Sequence, residues 1–135
     1  MLVHNECTRL PRNNGEWEGI PGESKWKSYN PDVNNITNGQ GIPFKNGRPD
    51  FSEWSKGSFS FESGALDGTQ KDFRKVYKKI KKQYNLKNQK QAKALLKKLG
   101  VTPPHYSLTE IQLIPTDLHA NIPHVGAAYD LRNIK

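Results

Sequence analysis

The sequence predicts an α+β domain in which a strongly basic pair of helices separates an irregular N-terminal region from a short, histidine-rich strand–strand–helix segment. Three observations carry that expectation. Apolar residues recur at helical spacing in two stretches between 69 and 99. Short strand-like runs, 58–62 and 110–114, lie on either side of them. The 135 residues are only 33% hydrophobic and include 11 Gly and 9 Pro, which predicts a modest core and much irregular surface.

Taken in order, residues 1–40 are rich in Asn, Gly and Pro without a sustained period, and read as loops with short elements. Trp17 and Trp26 are expected to anchor them, as isolated aromatics in polar segments do. In 39–57, GQGIPFKNGRPDFSEWSKG, Asn46-Gly47 between Phe44 and Phe51 signals a tight hairpin. Phe59 and Phe61 alternate with polar residues, as a half-buried strand requires. Thr69 or Asp67 can cap a first helix whose apolar positions are Phe73, Val76, Tyr77, Ile80 and Tyr84. Asn88 can cap a second, with Ala92, Leu95, Leu96 and Leu99 on its apolar side and Gly100 to end it. The short connection 85–87 makes the two an antiparallel hairpin. Pro103-Pro104 then forbids helix and delivers an extended segment into His105. Ile111, Leu113 and Ile114 read as a strand stopped by Pro115; Thr116 is the expected N-cap of a helix that starts at Asp117, carries His119 and is bounded by Pro123.

The length suits one domain. No apolar run reaches the length of a membrane span. The opening Met1-Leu2-Val3 passes at once into polar His4-Asn5-Glu6, which is not the pattern of a signal peptide. The single cysteine, Cys7, rules out a disulfide within this sequence and a cysteine-built zinc site, so any metal falls to His, Asp, Glu or Asn.

The net charge of +8 is unevenly spread. Between 71 and 98, eleven Lys and Arg74 stand against one acid, Asp72, a net +11; the rest of the chain carries nine basic and twelve acidic groups, a net −3. Such a block attracts polyanions through counterion release. Arg74, Lys75, Lys78, Lys79, Lys81, Lys82, Lys97 and Lys98 are the expected contacts to a nucleic-acid backbone. A lysine run is also what a solvated helical face looks like, and charge alone does not separate the two.

Three of the four histidines, His105, His119 and His124, fall within twenty residues. Alone, each reads as a hydrogen-bonded loop or core residue. Together, in strand–strand–helix order, they suit phosphodiester hydrolysis with one metal. A divalent cation offsets charge on the phosphorane and leaving oxygens, and a neutral imidazole takes the proton of the attacking water near neutral pH. On a continuous helix the five-residue step from His119 to His124 sets the two side chains roughly 140° apart, so they share a site only if the helix ends between them.

The run HYSLTEIQLIPTDLHANIPHVGAA resembles the signature of HNH/endonuclease VII toxin nucleases, the His-Me finger or ββα-metal class. The upstream GIPFKNGRPDFSEWSKG is similar to the segment that precedes that core. Leu2-Val3-His4-Asn5-Glu6-Cys7 is similar to the junction that ends pre-toxin regions. The resemblance implies a junction over 1–12 and one nuclease toxin domain over 13–135, with basic helices at 69–99 and a ββα-metal motif at 101–126. Within it His105 is the general base, and His119 and His124 are metal ligands. Many of these families carry a doublet or triplet of histidines where this chain has only Pro104-His105-Tyr106, so a third ligand is absent or comes from Glu110 or Asp117. One divalent ion is implied, with zinc, magnesium and nickel all compatible with N/O ligands. Also implied are DNA cleavage, a role in bacterial competition, delivery into a target cell as part of a larger secreted protein, and an acidic cognate immunity protein; a lysine-rich helix pair that binds backbone without reading bases predicts low sequence specificity. An RNase, for instance one cutting transfer RNA, and a non-catalytic nucleic-acid-binding module are the alternative functions.

Overall fold

The computed structural model describes residues 9–133; His4, Cys7 and most of the expected junction lie outside them. Among the described residues the architecture is α+β, with five α-helices and small antiparallel sheets. Among the described residues no helix is long and apolar enough to cross a membrane.

The first half is a four-stranded antiparallel sheet. Strands β1 (Gly15–Trp17) and β2 (Lys25–Ser28) pair so that Trp17 lies opposite Trp26. Between β2 and β3 (Ile42–Lys45) sits helix α1 (Pro31–Thr37), which begins with Pro at its first position and the Asn30 side chain accepting from the Asp32 amide at 2.8 Å. The turn into β4 (Arg48–Pro49) is Asn46-Gly47, with φ of 53° and 76°. Positive φ at both central residues is what a two-residue hairpin matched to strand twist demands. A 3-10 turn (Ser52–Trp54) follows, then β5 (Ser58–Ser60).

The basic segment folds as α2 (Lys71–Gln83) against α3 (Gln89–Leu99). Asn88 caps α3 by accepting from the Gln91 amide at 2.9 Å, and Gly100 ends it with φ of 71°. Gln70, already helical in backbone, gives α2 no side-chain cap; the Thr69 hydroxyl accepts from the Lys71 amide at 3.3 Å, so of the two expected caps Thr69 serves and Asp67 does not. Asp67 instead closes a turn onto Thr69. Tyr84 and Leu99, expected on the apolar faces, are 54% and 58% exposed. Tyr84 sits beyond the last turn of α2, and Leu99 is the final residue of α3, so both overhang the packed face.

Residues 101–119 differ from the sequence expectation in register. Strand β6 (Val101–Thr102) pairs with β8 (Ile114–Pro115), while β7 (Glu110–Gln112) pairs with β5. Pro115 is therefore inside a strand, tolerated because a two-residue ladder asks little of its missing N–H. The Thr116 hydroxyl meets Thr102 Oγ1 at 3.0 Å instead of capping a helix. Helix α4 is a single turn, Thr116–His119, entered from Pro115 and ending well before Pro123. Helix α5 (Ala127–Arg132) closes the described chain.

Two apolar clusters result. Trp26, Val33, Ile42, Phe44, Phe51 and Trp54 fill the sheet side together with Ile114, Leu118 and Ile122. Val76, Ile80, Ala92 and Leu96 fill the helical side together with Ile111 and Leu131. The segment 111–122 thus supplies both. Ile111, fully buried, marks that seam: Ile111→Ala is expected to cost about 2–5 kcal/mol in urea unfolding. Leu99→Ala is expected to change stability by about 0.5 kcal/mol or less. Equal losses at the two positions contradict this division of the core.

Candidate functional site

The three histidines arrive at one pocket from three local structures. His105 leaves the extended Pro103-Pro104 segment and bridges antiparallel to Ile111. The reversal between them is closed by the amides of Tyr106 and Ser107 donating to the Glu110 carbonyl at 2.8 and 3.2 Å. His119 ends α4. His124 follows the break at Ala120 and returns to His119, the two ring centroids 4.8 Å apart and nearly perpendicular. Ending the helix at His119 removes the 140° separation that a continuous helix would impose. Phe51 packs edge-on against both rings, at 5.8 and 5.5 Å. The resulting cavity, about 210 Å³, is bounded by His105, His119, His124, Phe51, Gln112 and Arg48, among others.

His105 has a partner that the sequence did not assign. Its Nε2 lies 2.7 Å from Asp72 Oδ2, with both side chains almost wholly out of solvent. Asp72, in the first turn of α2, also accepts from the Gly68 amide at 2.7 Å and the Asp67 amide at 3.1 Å. A carboxylate only accepts, so Nε2 carries a ring hydrogen, and in the neutral ring the lone pair falls to Nδ1. Gly68 is indispensable to that arrangement. Its φ is 82°, and a Cβ there would stand 2.4 Å from the Ala128 carbonyl oxygen. The clue in the sequence was Asp72 itself, the single acid among twelve basic residues.

The other two histidines are held neutral. Burial pushes His119 down to about 4, helped by the neighbouring His124. Burial also lowers His124, against a raising effect from its hydrogen bond to the Ile122 carbonyl; Arg9 and Arg48 lower it further. Nδ1 of His124 is 2.6 Å from that carbonyl oxygen and so donates to it, leaving Nε2 to coordinate. Two neutral imidazoles meeting edge to face, one fixed by a backbone carbonyl, are nitrogen donors of the kind that borderline divalent cations take.

The expected third ligands do not join them. Asp117 is exposed on α4, its backbone carbonyl engaged by Asn121, and Glu110 lies on β7 opposite Ser60; neither bounds the pocket. Among the described residues no group of three or more His, Cys, Asp or Glu has the geometry to hold a metal. The basic residues also lie elsewhere. Arg74, Lys75, Lys78, Lys79, Lys82, Lys97 and Lys98 are exposed and Lys81 half-buried, with Lys79 over the Phe61 ring and Lys75 on the Ala65 carbonyl. None of them bounds the pocket. The cation that does bound the pocket is Arg48, joined to Asp130 of α5 at 2.7 Å, while Arg132 donates to the Gly68 carbonyl.

Comparison with protein-family models, with curated proteins and with solved structures finds no match. What the site can do follows from its own residues: an imidazole hydrogen-bonded to a buried carboxylate, two neutral imidazoles offering nitrogen donors, and an arginine at the wall.

The burial of His119 has a consequence for acid stability. The folded chain binds this proton less readily than the unfolded one, whose group titrates at 6.5, so the contribution is complete above pH 6.5 and is lost as pH falls towards about 4. The lost stability is on the order of 3 kcal/mol, with His124 adding in the same direction. Urea unfolding in EDTA across that window measures it; a flat profile, or one that His119→Phe leaves unchanged, contradicts it.

Proposed function

We propose that this chain is a metal-dependent endonuclease of the His-Me finger (HNH, ββα-metal) class that hydrolyses DNA with low sequence specificity. The observation that carries the reading is the convergence of His105, His119 and His124 on one pocket, with His105 held by a buried carboxylate. Their order supports it too: a reversal from His105 to Ile111, then a helical turn ending at His119, follows the strand–strand–helix sequence of that class. The wording QLIPTDLH is a second, independent support.

In this mechanism Nδ1 of His105 takes a proton from water as the water oxygen bonds to phosphorus. Asp72, accepting from Nε2, fixes the ring and stabilises the imidazolium that forms. The phosphorus–oxygen bond on the far side breaks, and the leaving oxygen takes a proton from solvent. His119 and His124 would hold the divalent cation, which supplies positive charge to the phosphate oxygens. Gln112, fixed by its amide donating to Ser52 Oγ at 3.1 Å, lines the wall on which substrate rests. The lysine-covered helices serve as a long-range attractor for the polyanion. The same reading makes the chain the C-terminal toxin of a larger secreted protein, delivered into competing bacteria and opposed by an acidic immunity protein.

Plasmid DNA and total RNA incubated with the protein, with and without EDTA, test the reaction. DNA cutting that EDTA abolishes is expected. His105→Ala is expected to lower it about 10²–10⁴-fold while keeping metal binding, and His119→Ala is expected to lose both. No cutting of either nucleic acid in any added metal would remove catalysis and favour a binding module; RNA cutting that survives EDTA would favour a metal-free RNase.

Neutralising Lys78, Lys79, Lys81 and Lys82 together is expected to weaken DNA binding and reduce the slope of log K against log salt by up to about 4. Slopes equal to those of the native protein contradict a role for this face.

A further inference from the structure

The histidine pair faces two cavities. On one side is the pocket shared with His105. On the other lies an opening of about 420 Å³ bounded by Arg9, His119, Asn121, Pro123 and His124. That opening shares Arg9 and Pro123 with a groove of about 850 Å³ running past Leu10, Arg12, Asn13 and Trp17. His119 and His124 therefore form a partition reachable from both sides.

The segment that carries the two arginines is anchored. Pro11 is fully buried, Leu10 packs against the sheet core, and Trp17 Nε1 donates to the Pro11 carbonyl at 3.1 Å. Burying residues 10 and 11 leaves Arg9 and Arg12 exposed beside them. Among the described residues neither has an ion-pair partner, whereas Arg48 across the partition is engaged by Asp130. A guanidinium presents its donors in a planar fork that matches two oxygens of a phosphate. Arg9 is also near enough to His124 for its charge to act on that ring. No lysine of the basic helices bounds any of the three cavities.

Resting on the nuclease reading, we infer that Arg9 and Arg12 form a phosphate-binding track for a nucleic-acid strand that crosses the His119–His124 pair and is gripped on the side opposite His105. The lysine helices then attract the polyanion from a distance, and the two arginines set where its backbone lies against the histidines. Register comes from contacts beside the site, since an attraction spread over exposed lysines fixes none.

The test uses His105→Ala protein, so that DNA stays intact, titrated with a fluorescein-labelled duplex at several salt concentrations. Adding Arg9→Gln and Arg12→Gln is expected to weaken binding about tenfold and make the slope of log K against log salt shallower by about 2. Arg9→Lys with Arg12→Lys is expected to recover the slope but not the full affinity, because a point charge lacks the fork. Both positions are exposed, and an unchanged unfolding midpoint verifies the fold; should the Gln pair unfold, the Lys pair carries the test alone. Unchanged affinity and slope in the Gln pair, in a native protein that cuts DNA, overturn the track and leave the nuclease reading standing. Lost binding in the Gln pair, with a native protein that never cuts, removes the nuclease chemistry and keeps the track. A parent protein that binds no duplex overturns both.

Discussion

Asp72 and His105 meet 2.7 Å apart, both out of solvent, and the placement of His105 in the histidine site depends on that contact. Taking a carboxylate out of water costs several kcal/mol unless its lone pairs are filled. Here they are filled by the Gly68 and Asp67 amides and by the imidazole. The requirement fixes more than one ring. It sets the turn that precedes α2, the left-handed backbone at Gly68, and the joining of the 103–105 segment to the first turn of α2. Removing one partner would leave a buried polar group unsatisfied, so the pair constrains the fold whatever its net stabilising value.

The same economy of elements appears in the segment that follows. Within twelve residues the chain gives Ile111 to the helical cluster and Ile114, Leu118 and Ile122 to the sheet cluster. It does so by changing strand partners at Leu113, whose amide and carbonyl pair with Gly57 and Lys56. Side chains of a strand alternate between faces, so a segment lying between two cores can serve both. His119 and His124 pack edge-on against Phe51 of the sheet cluster, while His105 lies near Phe73 of α2.

Much of the scaffold was legible in the residues. The Asn46-Gly47 hairpin, the Asn88 cap and the Gly100 stop are local chemistry that few contexts override, and each is found in place. Helix α1 escaped notice although Asn30-Pro31 announces its start, because seven residues are too few to show a period. The strand partners of 110–115 were illegible for a different reason: Pro115 reads as a stop unless its neighbour is a two-residue ladder. At the site, the proximity of the three histidines along the chain hinted at their proximity in space. Asp72 gave no such hint of its partner, since 33 residues separate it from His105. Arg48 and Asp130 are further apart still, at 82.

Those separations also decide when the site exists during folding. The helices, the Asn46-Gly47 hairpin and the single turn ending at His119 are built from near neighbours and can form early. The contacts that enclose the pocket, Ser52 to Gln112, Asp72 to His105 and Arg48 to Asp130, each close a long loop and bear its entropic cost. The pocket is thus among the last parts to assemble. A chain still threading out of the ribosome carries all three histidines without a site. The pocket arrives with the final closure.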